Sequence, residues 1–221
     1  MPANIDAITR MMPKAIQYFW SARQVAVSAQ KQRGLHDQGN RASVTAGKNM
    51  DGFIALIKEL IIDNGINDAE IYSGQRLNMT IPGYYRPTKI WDLLVTRKNK
   101  LLAAVEFKSQ VGPSFGNNFN NRVEESLGNA VDFLTAYREG AFGESSRAFL
   151  GYFFVLEECP ESTRPVGLKS PHFNVLREFK NTSYAQRYEI LCKKLMHECM
   201  YDSAALVLTA NADKKPVNTG P

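Results

Sequence analysis

Two apolar runs separated by a short charged turn constrain the fold of this chain more than any other feature. Residues 90–96 (IWDLLVT) and 101–109 (LLAAVEFKS) are rich in the β-branched and large apolar side chains that favour strands, and the residues between them read RKNK. This pattern predicts an antiparallel hairpin. Because almost every position in both strands is apolar, we expect the hairpin to be buried on both faces within a larger sheet.

The rest of the chain alternates between helical and strand-like periodicity. Helices are predicted over residues 13–31, 50–63, 123–138 and 184–200, and further strands over residues 69–72, 77–81, 148–156 and 204–208. The helix at 123–138 is expected to turn its apolar positions, Val123, Leu127, Val131 and Leu134, into the core. This alternation predicts an α/β fold with a mixed central β-sheet flanked by helices.

The length of 221 residues suits a single domain over residues 1–221, with a frayed C-terminal tail from about residue 211. The N-terminal segment, about residues 1–48, is basic and contains the helix predicted at 13–31. The polar, glycine-bearing sequence from Arg33 to Lys48, at the end of this segment, predicts a loop. The first 50 residues hold seven Lys or Arg against two Asp, so they carry the whole net charge of +5. A basic segment on a neutral body suits a polyanionic partner, although a solvated basic surface would have the same composition.

Three cysteines at irregular spacing do not form a disulfide framework, which fits a reducing compartment. Cys192 and Cys199 fall at helical spacing with the apolar residues around them, so we interpret them as core residues and not as zinc ligands. No apolar run is long enough to cross a bilayer, and the first residues lack the pattern of a signal peptide. The expectation is a soluble, cytoplasmic protein.

The predicted hairpin brings three charged side chains to one surface. With a turn centred on Asn99, Asp92 lies opposite Glu106 with their Cβ atoms roughly 5 Å apart. Lys108 and Gln110 share the face of Glu106 because side chains alternate along a strand, whereas Val105 and Phe107 point the other way. Two carboxylates and an amine therefore converge on one side of an apolar hairpin.

Two carboxylates at this separation repel each other unless one is protonated or a cation lies between them. Mg²⁺ takes hard oxygen ligands, commonly one or two carboxylates, and completes its shell with water and phosphate oxygens. The pattern therefore predicts Asp92 and Glu106 as metal ligands, with Mn²⁺ able to replace Mg²⁺, and Lys108 as the group that stabilises charge during phosphodiester hydrolysis. The same three residues could instead form a salt-bridge ladder on a solvent-facing strand.

Polar residues around the hairpin are candidates for contact with DNA. Asparagine can pair with adenine and arginine with guanine, and lysine and arginine bind phosphates. The candidates are Arg86, Lys89, Gln110, Asn117, Asn118, Asn120, Asn121 and Arg122. Asparagine and glycine are also ordinary loop and cap residues, and Arg86 and Lys89 could be plain solvated charges.

Five segments of the chain closely resemble the XhoI family of Type II restriction endonucleases. They are AGKNMDGF (46–53), PGYYRPTKIWDLLV (82–95), VEFKSQVGPSFGNNFNNR (105–122), TAYREGAFG (135–143) and KSPHF (169–173). The resemblance implies the PD-(D/E)xK nuclease fold, with Asp92, Glu106 and Lys108 in its catalytic positions. Ile90 and Trp91 stand before Asp92 where the motif's name has a proline.

Membership of this family implies a homodimer that cuts double-stranded DNA at CTCGAG or an extended form of it, after the first C, leaving 5′ extensions. A cognate DNA methyltransferase is expected in the same prokaryotic system, though not as a stable subunit. Some nucleases of this fold add an acid from the preceding helix. Asp51 and Glu59 are the candidates here, but a cap or a solvated face is the favoured explanation of each.

Two other functions remain open at this point. A nuclease of repair or recombination, such as a junction resolvase, could have the same catalytic core but would read DNA shape and not sequence. A DNA-binding module without catalytic activity is the second alternative. It is disfavoured because carboxylates facing phosphates weaken binding.

Overall fold

The computed structural model describes residues 5–32, 48–143 and 146–211. Most of the predicted loop at 33–48 and nearly all of the predicted tail at 211–221 lie outside these residues. The helices are α1 (Ile5–Gln32), α2 (Asp51–Asp63), α3 (Phe115–Arg138), α4 (Pro160–Thr163) and α5 (Tyr184–His197). The strands are β1 (Glu70–Tyr72), β2 (Thr80–Pro82), β3 (Thr88–Ile90), β4 (Leu93–Arg97), β5 (Lys100–Gln110), β6 (Phe149–Glu157) and β7 (Ser203–Thr209).

Five strands form a mixed sheet in the order β1-β4-β5-β6-β7, and β2 and β3 form a separate two-stranded hairpin. The pairs β1–β4 and β4–β5 are antiparallel, whereas β5–β6 and β6–β7 are parallel. The prediction of an α/β fold with a mixed sheet and flanking helices is therefore confirmed. Strand β5 lies at the centre of the sheet, which is the position that its nearly continuous apolar sequence favours.

Each face of the sheet packs against its own helices. On one face, Phe19 of α1 and Phe53 of α2 pack near Phe107 and Phe153 of the sheet. On the other face, α3 and α5 cover the sheet with a cluster that includes Trp91, Ala104 and Phe154. Residues 104, 106, 108 and 110 of β5 point toward α3 and α5 because side chains alternate. Any chemistry carried by Glu106 therefore belongs to this second face.

Some predicted elements have different boundaries in the structure. The run at 90–96 is not one strand: β3 ends at Ile90, β4 begins at Leu93, and Trp91 and Asp92 lie between them. The run at 77–81 likewise divides into a 3₁₀ turn at Arg76–Met79 and strand β2. Met79 accepts a hydrogen bond from the Trp91 amide at 2.9 Å, which ties the hairpin to the beginning of β4.

The predicted inner face of the helix at 123–138 is wrong in part. Leu127 and Val131 are 39% and 36% exposed, whereas Asn129 and Asp132 are buried. The polar residues are satisfied by hydrogen bonds to a neighbouring loop, which makes their burial acceptable. The apolar pattern of this helix is therefore an incomplete guide to its orientation.

The N-terminal basic residues and the cysteines have mixed environments. Arg23 is buried over the Phe19 ring, and Arg10 pairs with Glu59, so these two side chains contribute to the fold. Cys192 is buried in the core as expected, but Cys199 lies beyond the end of α5 and is exposed. None of the helices that the structure describes combines the length and the apolar character that a membrane crossing needs.

Candidate active site

The β4–β5 hairpin sets the spacing of the acidic residues. Lys98 and Asn99 form its turn with positive φ angles of 49° and 61°, as in the tight turns that match strand twist. Leu93 pairs with Val105, Leu94 with Ala104 and Val95 with Ala103. Asp92 directly precedes this ladder and therefore stands beside Glu106, as the sequence predicts.

Glu106 lies at the centre of the site and is only 2% exposed. Lys108 donates a hydrogen bond to its Oε1, and Lys89 Nζ donates to its Oε2 at 2.8 Å. Burial alone would raise the pKa of this carboxyl, but the two ammonium groups outweigh that effect and hold the pKa below its ordinary value. Glu106 is thus a buried carboxylate that remains ionised because both of its oxygens have a cationic partner.

Asp92 is held by the backbone of the opposite strand. Its Oδ2 accepts a hydrogen bond from the Phe107 amide at 2.7 Å. Burial, followed by the nearby charge of Glu106, raises the pKa of Asp92 above its ordinary value, and the neighbouring lysines only partly offset this. The repulsion between two adjacent carboxylates is therefore a real feature of the site, and a cation between them would relieve it.

Lys108 has one quarter of its side chain exposed, and its ammonium is bonded to Glu106. Burial would lower its pKa, but the carboxylates of Glu106 and Asp92 raise it above the ordinary value. The amine is therefore a permanent positive charge at neutral pH. It can stabilise negative charge that develops on a bound phosphate.

The donor set fits a hard divalent cation. Within residues 5–32, 48–143 and 146–211 no cluster of three or more His, Cys, Asp or Glu side chains suits a metal. Two carboxylates are nevertheless enough for Mg²⁺, which retains several waters and takes phosphate oxygens from its substrate. Asp92 and Glu106 together offer neighbouring carboxylate oxygens, with the Lys108 ammonium beside them.

Lys89, interpreted from the sequence as a phosphate contact, belongs to this carboxylate cluster. Its ammonium is bonded to Glu106 and lies 4.5 Å from the centroid of the Trp91 ring. Only 10% of the side chain is exposed. Sequence reasoning missed this contact because it depends on the separate β2–β3 hairpin, whose packing no local pattern reveals.

Arg86 is fixed in place by α3. Its Nε donates to Asp132 Oδ2 at 2.7 Å and its Nη2 donates to Asn129 Oδ1 at 2.9 Å. Asp132 Oδ1 also accepts from the backbone amides of Tyr84 and Tyr85, both at 2.8 Å. Asp132 was not among the predicted site residues, although a buried acid on a helix is a signal that a donor must lie nearby.

A close approach explains the glycine in this loop. A Cβ on Gly83 would lie 2.7 Å from Asp132 Oδ2 and 2.8 Å from the Arg86 carbonyl oxygen. Only glycine leaves room for the loop to wrap around the carboxylate. The segment from Gly83 to Arg86 is therefore a preorganised turn, and the rings of Tyr84 and Tyr85 are exposed.

The asparagine-rich segment after β5 is helical, so the helix predicted over residues 123–138 begins earlier than expected. Helix α3 begins at Phe115, and Asn117, Asn118, Asn120 and Asn121 all lie in its first two turns. Phe115 stacks on Tyr184 and Phe119 meets Tyr188 edge to face at 5.0 Å. Packing of these two rings, four residues apart, outweighs the low helix propensity of asparagine and glycine.

The first two turns of α3 present part of this polar sequence outward. Asn117, Asn120 and Asn121 are exposed, and Asn118 is half-buried. The side chain of Arg122 is 17% exposed, and its Nη1 pairs with Glu125. Among the described residues, Arg122 Nε and the Tyr152 hydroxyl are the two buried side-chain polar atoms without a hydrogen-bond partner. Arg122 is near enough to lower the pKa that Lys108 would otherwise have, so its positive charge borders the site.

Gln110 does not lie on an open surface, contrary to its interpretation as a DNA contact. It is 3% exposed, its Oε1 accepts from the Tyr188 hydroxyl and its Nε2 donates to the Ser114 carbonyl at 3.4 Å. Both ends of the amide are committed within the protein. Its position explains the burial, because Gln110 lies at the end of the central strand between α3 and α5.

The two acids considered on the preceding helix do not join the cluster. Glu59 pairs with Arg10 of α1, and Asp51 is exposed in the first turn of α2. Helix α2 packs on the sheet face opposite Glu106, which explains why these side chains point elsewhere.

Comparison with known proteins assigns the chain to a family. The family described as restriction endonuclease XhoI matches residues 29–220. The Type II restriction enzyme XhoI of Xanthomonas vasicola is 48% identical over 194 residues, which cover 88% of this chain and 76% of that protein. BstVI of Geobacillus stearothermophilus, also a Type II restriction enzyme, is 50% identical over 184 residues, or 81% of each chain.

A third relative, the Type II restriction enzyme AbrI of Azospirillum brasilense, is 51% identical over 177 residues, which cover 80% of this chain and 79% of that protein. No solved structure matches the chain. The family match spans far more than half of the sequence and includes the whole Asp92–Glu106–Lys108 cluster. The chain therefore belongs to the XhoI family of restriction endonucleases.

Proposed function

We propose that the protein is a Type II restriction endonuclease of the PD-(D/E)xK fold that hydrolyses double-stranded DNA at a palindrome, CTCGAG or an extended form of it. Cleavage after the first C of each strand leaves 5′ overhangs. The observation that carries the proposal is the convergence of Asp92, Glu106 and Lys108 on one face of the sheet. The names of three relatives at 48–51% identity support it.

Asp92 and Glu106 are the residues that would hold Mg²⁺, or Mn²⁺ in its place. When bound, the ion polarises the scissile phosphate and lowers the pKa of a water molecule. Glu106 contributes a full negative charge because its pKa is held low. The Phe107 amide fixes one oxygen of Asp92 and so orients the other.

Lys108 acts on the reacting phosphate. Its ammonium, fixed by Glu106 and a quarter exposed, stabilises the charge that develops on the nonbridging oxygens and helps to orient the attacking water. The attacking water releases a proton to solvent as its oxygen forms the new bond to phosphorus and the bond to the 3′ oxygen breaks. The leaving oxygen takes up a proton from solvent, which gives a 5′-phosphate and a 3′-hydroxyl.

DNA contacts are proposed around this cluster of charged residues. The exposed Asn117, Asn120 and Asn121, with Asn118 beside them, read bases or hold the backbone, and Arg122 binds a phosphate. The unpartnered Arg122 Nε supports this role, because a buried donor without an acceptor gains from an incoming phosphate oxygen. Arg86 contacts phosphate from its fixed position on Asp132.

A palindrome is read by two copies of the same surface, so we propose that the active enzyme is a homodimer. It would work in the cytoplasm of a prokaryotic cell, where a separate methyltransferase with the same specificity protects the host's DNA. No lasting contact with that enzyme is required.

Digestion of a plasmid of known sequence in Mg²⁺ tests the proposal. Discrete fragments whose sequenced ends fall within CTCGAG, with 5′ overhangs, are expected, and excess chelator should abolish cutting. E106Q protein purified in parallel controls for a contaminating nuclease. A continuous smear, ends at unrelated sequences, or full turnover in chelator would contradict the proposal; cutting only at branched junctions would favour a resolvase.

A further inference from the structure

Lys89 is bonded to an oxygen of Glu106, the carboxylate proposed to bind the metal. The Glu106 carboxylate has two oxygens, and the structure gives each of them an ammonium partner: Lys108 on Oε1 and Lys89 on Oε2. The remaining acid, Asp92, has Oδ2 committed to the Phe107 amide. A divalent ion that takes one oxygen from each acid therefore competes with an ammonium group for the same Glu106 oxygen, and it is repelled while both ammonium groups remain.

The two lysines differ in how firmly they are held. Lys108 belongs to the central strand β5, and its backbone lies in the five-stranded sheet beside Phe154 of β6. Lys89 belongs to the two-stranded β2–β3 hairpin, and among the described strands its strand pairs with β2 alone. Its flanking residues Thr88 and Ile90 are exposed. Lys89 is therefore the amine that can leave Glu106 with little disturbance of the sheet.

A DNA phosphate is a suitable alternative partner for this ammonium. The hairpin tip carries Arg86 and the exposed Tyr84 and Tyr85, and the loop is pinned to α3 by Asp132. Lys89 follows Arg86 by three residues, about 10 Å along an extended chain. A duplex contacted by Arg86 would therefore bring phosphates within reach of Lys89.

We propose that Lys89 couples metal binding to DNA binding: it holds Glu106 in the free enzyme, and a DNA phosphate draws it away so that the metal can enter. Lys89 is a positioning residue in this scheme, since it acts through Glu106. The advantage is that an enzyme without DNA holds no activated metal. This inference rests on the proposed metal-dependent function and deepens it.

Calorimetric titration of the full chain with Ca²⁺, an oxygen-seeking divalent ion, tests the coupling with and without a CTCGAG duplex. The duplex is checked for integrity afterwards. K89M removes the ammonium but keeps an aliphatic stem over Trp91. The matched control is K193M, which removes an exposed lysine paired with Glu189 on α5. Urea unfolding verifies the fold, and K89Q replaces K89M if the latter is unstable.

In the wild type and K193M, Ca²⁺ should bind at least tenfold more tightly with DNA than without it. In K89M, affinity without DNA should rise by at least tenfold, and the effect of DNA should shrink accordingly. Unchanged or weaker Ca²⁺ binding by K89M in the absence of DNA would overturn the inference while leaving the nuclease proposal intact. Failure of the wild type to bind Ca²⁺ even with DNA, together with cutting in chelator, would overturn the metal mechanism itself.

Discussion

At the scale of single residues, the charges in the site are arranged so that Glu106 stays ionised although it is buried. A lone buried carboxylate would take up a proton, because burial disfavours the charged form. Lys89 and Lys108 reverse this tendency for Glu106, whereas Asp92, which accepts its hydrogen bond from the Phe107 amide, has a raised pKa. Two neighbouring acids thus differ in protonation tendency because of their partners. Together with the two lysines they carry a total charge close to zero before any ion binds.

Substitution of the proposed catalytic residues should separate their effect on cleavage from their effect on DNA binding. E106Q keeps the shape of the side chain but removes the charge, so we expect single-turnover cleavage to fall at least about 10³-fold. K108M should lower it about 10²- to 10³-fold, the usual effect of losing one group that stabilises transition-state charge. Gel-shift binding to the cognate duplex in Ca²⁺ should remain within a few-fold of the wild type.

The K193M variant serves again as the control, because its lysine lies on the surface of α5. Near-normal cleavage by either E106Q or K108M would remove these residues from the mechanism. Loss of DNA binding that accounts for the whole loss of cleavage would show that they support the substrate site and not the chemistry.

At the scale of structural elements, Asp132 joins the β2–β3 hairpin to α3. It accepts hydrogen bonds from two backbone amides and from Arg86. Burial would raise the pKa of this carboxyl, but these donors outweigh it and hold the pKa below its ordinary value. The ionised form therefore stabilises the fold at neutral pH, and D132N should lower the free energy of unfolding by about 2 kcal/mol.

The stability lost in D132N should depend on pH. The pKa of Asp132 is lower in the folded state than in the unfolded state. Its contribution to the free energy of unfolding is therefore present above the unfolded pKa of about 3.9, and it disappears as pH falls through the folded pKa. Urea unfolding should therefore show the largest difference between the two proteins near pH 7 and a narrowing difference below about pH 4. D68N, which removes one partner of an exposed pair with Arg97, should change stability by less than about 0.5 kcal/mol at either pH. A D132N effect as small as that of D68N would mean that the loop does not need the carboxylate.

The first turns of α3 support a prediction about the DNA interface. If Arg122 binds a phosphate, R122A should weaken binding to all duplexes about equally and reduce the slope of log affinity against log salt by about one. R138A, which removes an exposed arginine from the opposite end of the same helix, is the control. Fluorescence anisotropy over a salt series measures both slopes. An unchanged slope in R122A would remove Arg122 from the phosphate contacts.

The same elements show what the sequence could and could not predict. The hairpin register was predictable because apolar runs on both sides of RKNK allow few turn positions, and the pairing of Leu93 with Val105 follows. The start of α3 was not predictable from the sequence, because asparagine and glycine favour loops locally. The helix forms there because Phe115 and Phe119 contact α5, which is distant in sequence. The contact of Lys89 with Glu106 was also hidden, since it joins two hairpins that no local pattern relates.

For the molecule as a whole, the two faces of the central sheet differ: one packs against α1 and α2, and the other carries the candidate site. Helices α1 and α2 pack on one side through aromatic residues such as Phe19 and Phe53, and the carboxylate cluster opens on the side of α3 and α5. A single chain of 24.8 kDa thus presents one cluster of this kind among its described residues. With one such cluster in each chain, the proposed homodimer would give each strand of the duplex its own site.

Mixed dimers test this proposal directly. Wild-type and E106Q chains with different tags can be co-expressed and the complex purified through both tags, which selects a species of about twice 24.8 kDa. With one competent site, the heterodimer should convert supercoiled plasmid to open circles at about half the nicking rate of the wild type. It should form linear DNA far more slowly, because the second strand is cut only after the heterodimer rebinds in the opposite orientation. Agarose gels of the time course resolve the three forms. Linear DNA produced by the heterodimer at the wild-type rate would mean that one protomer cuts both strands, and recovery of no doubly tagged complex would argue against the dimer.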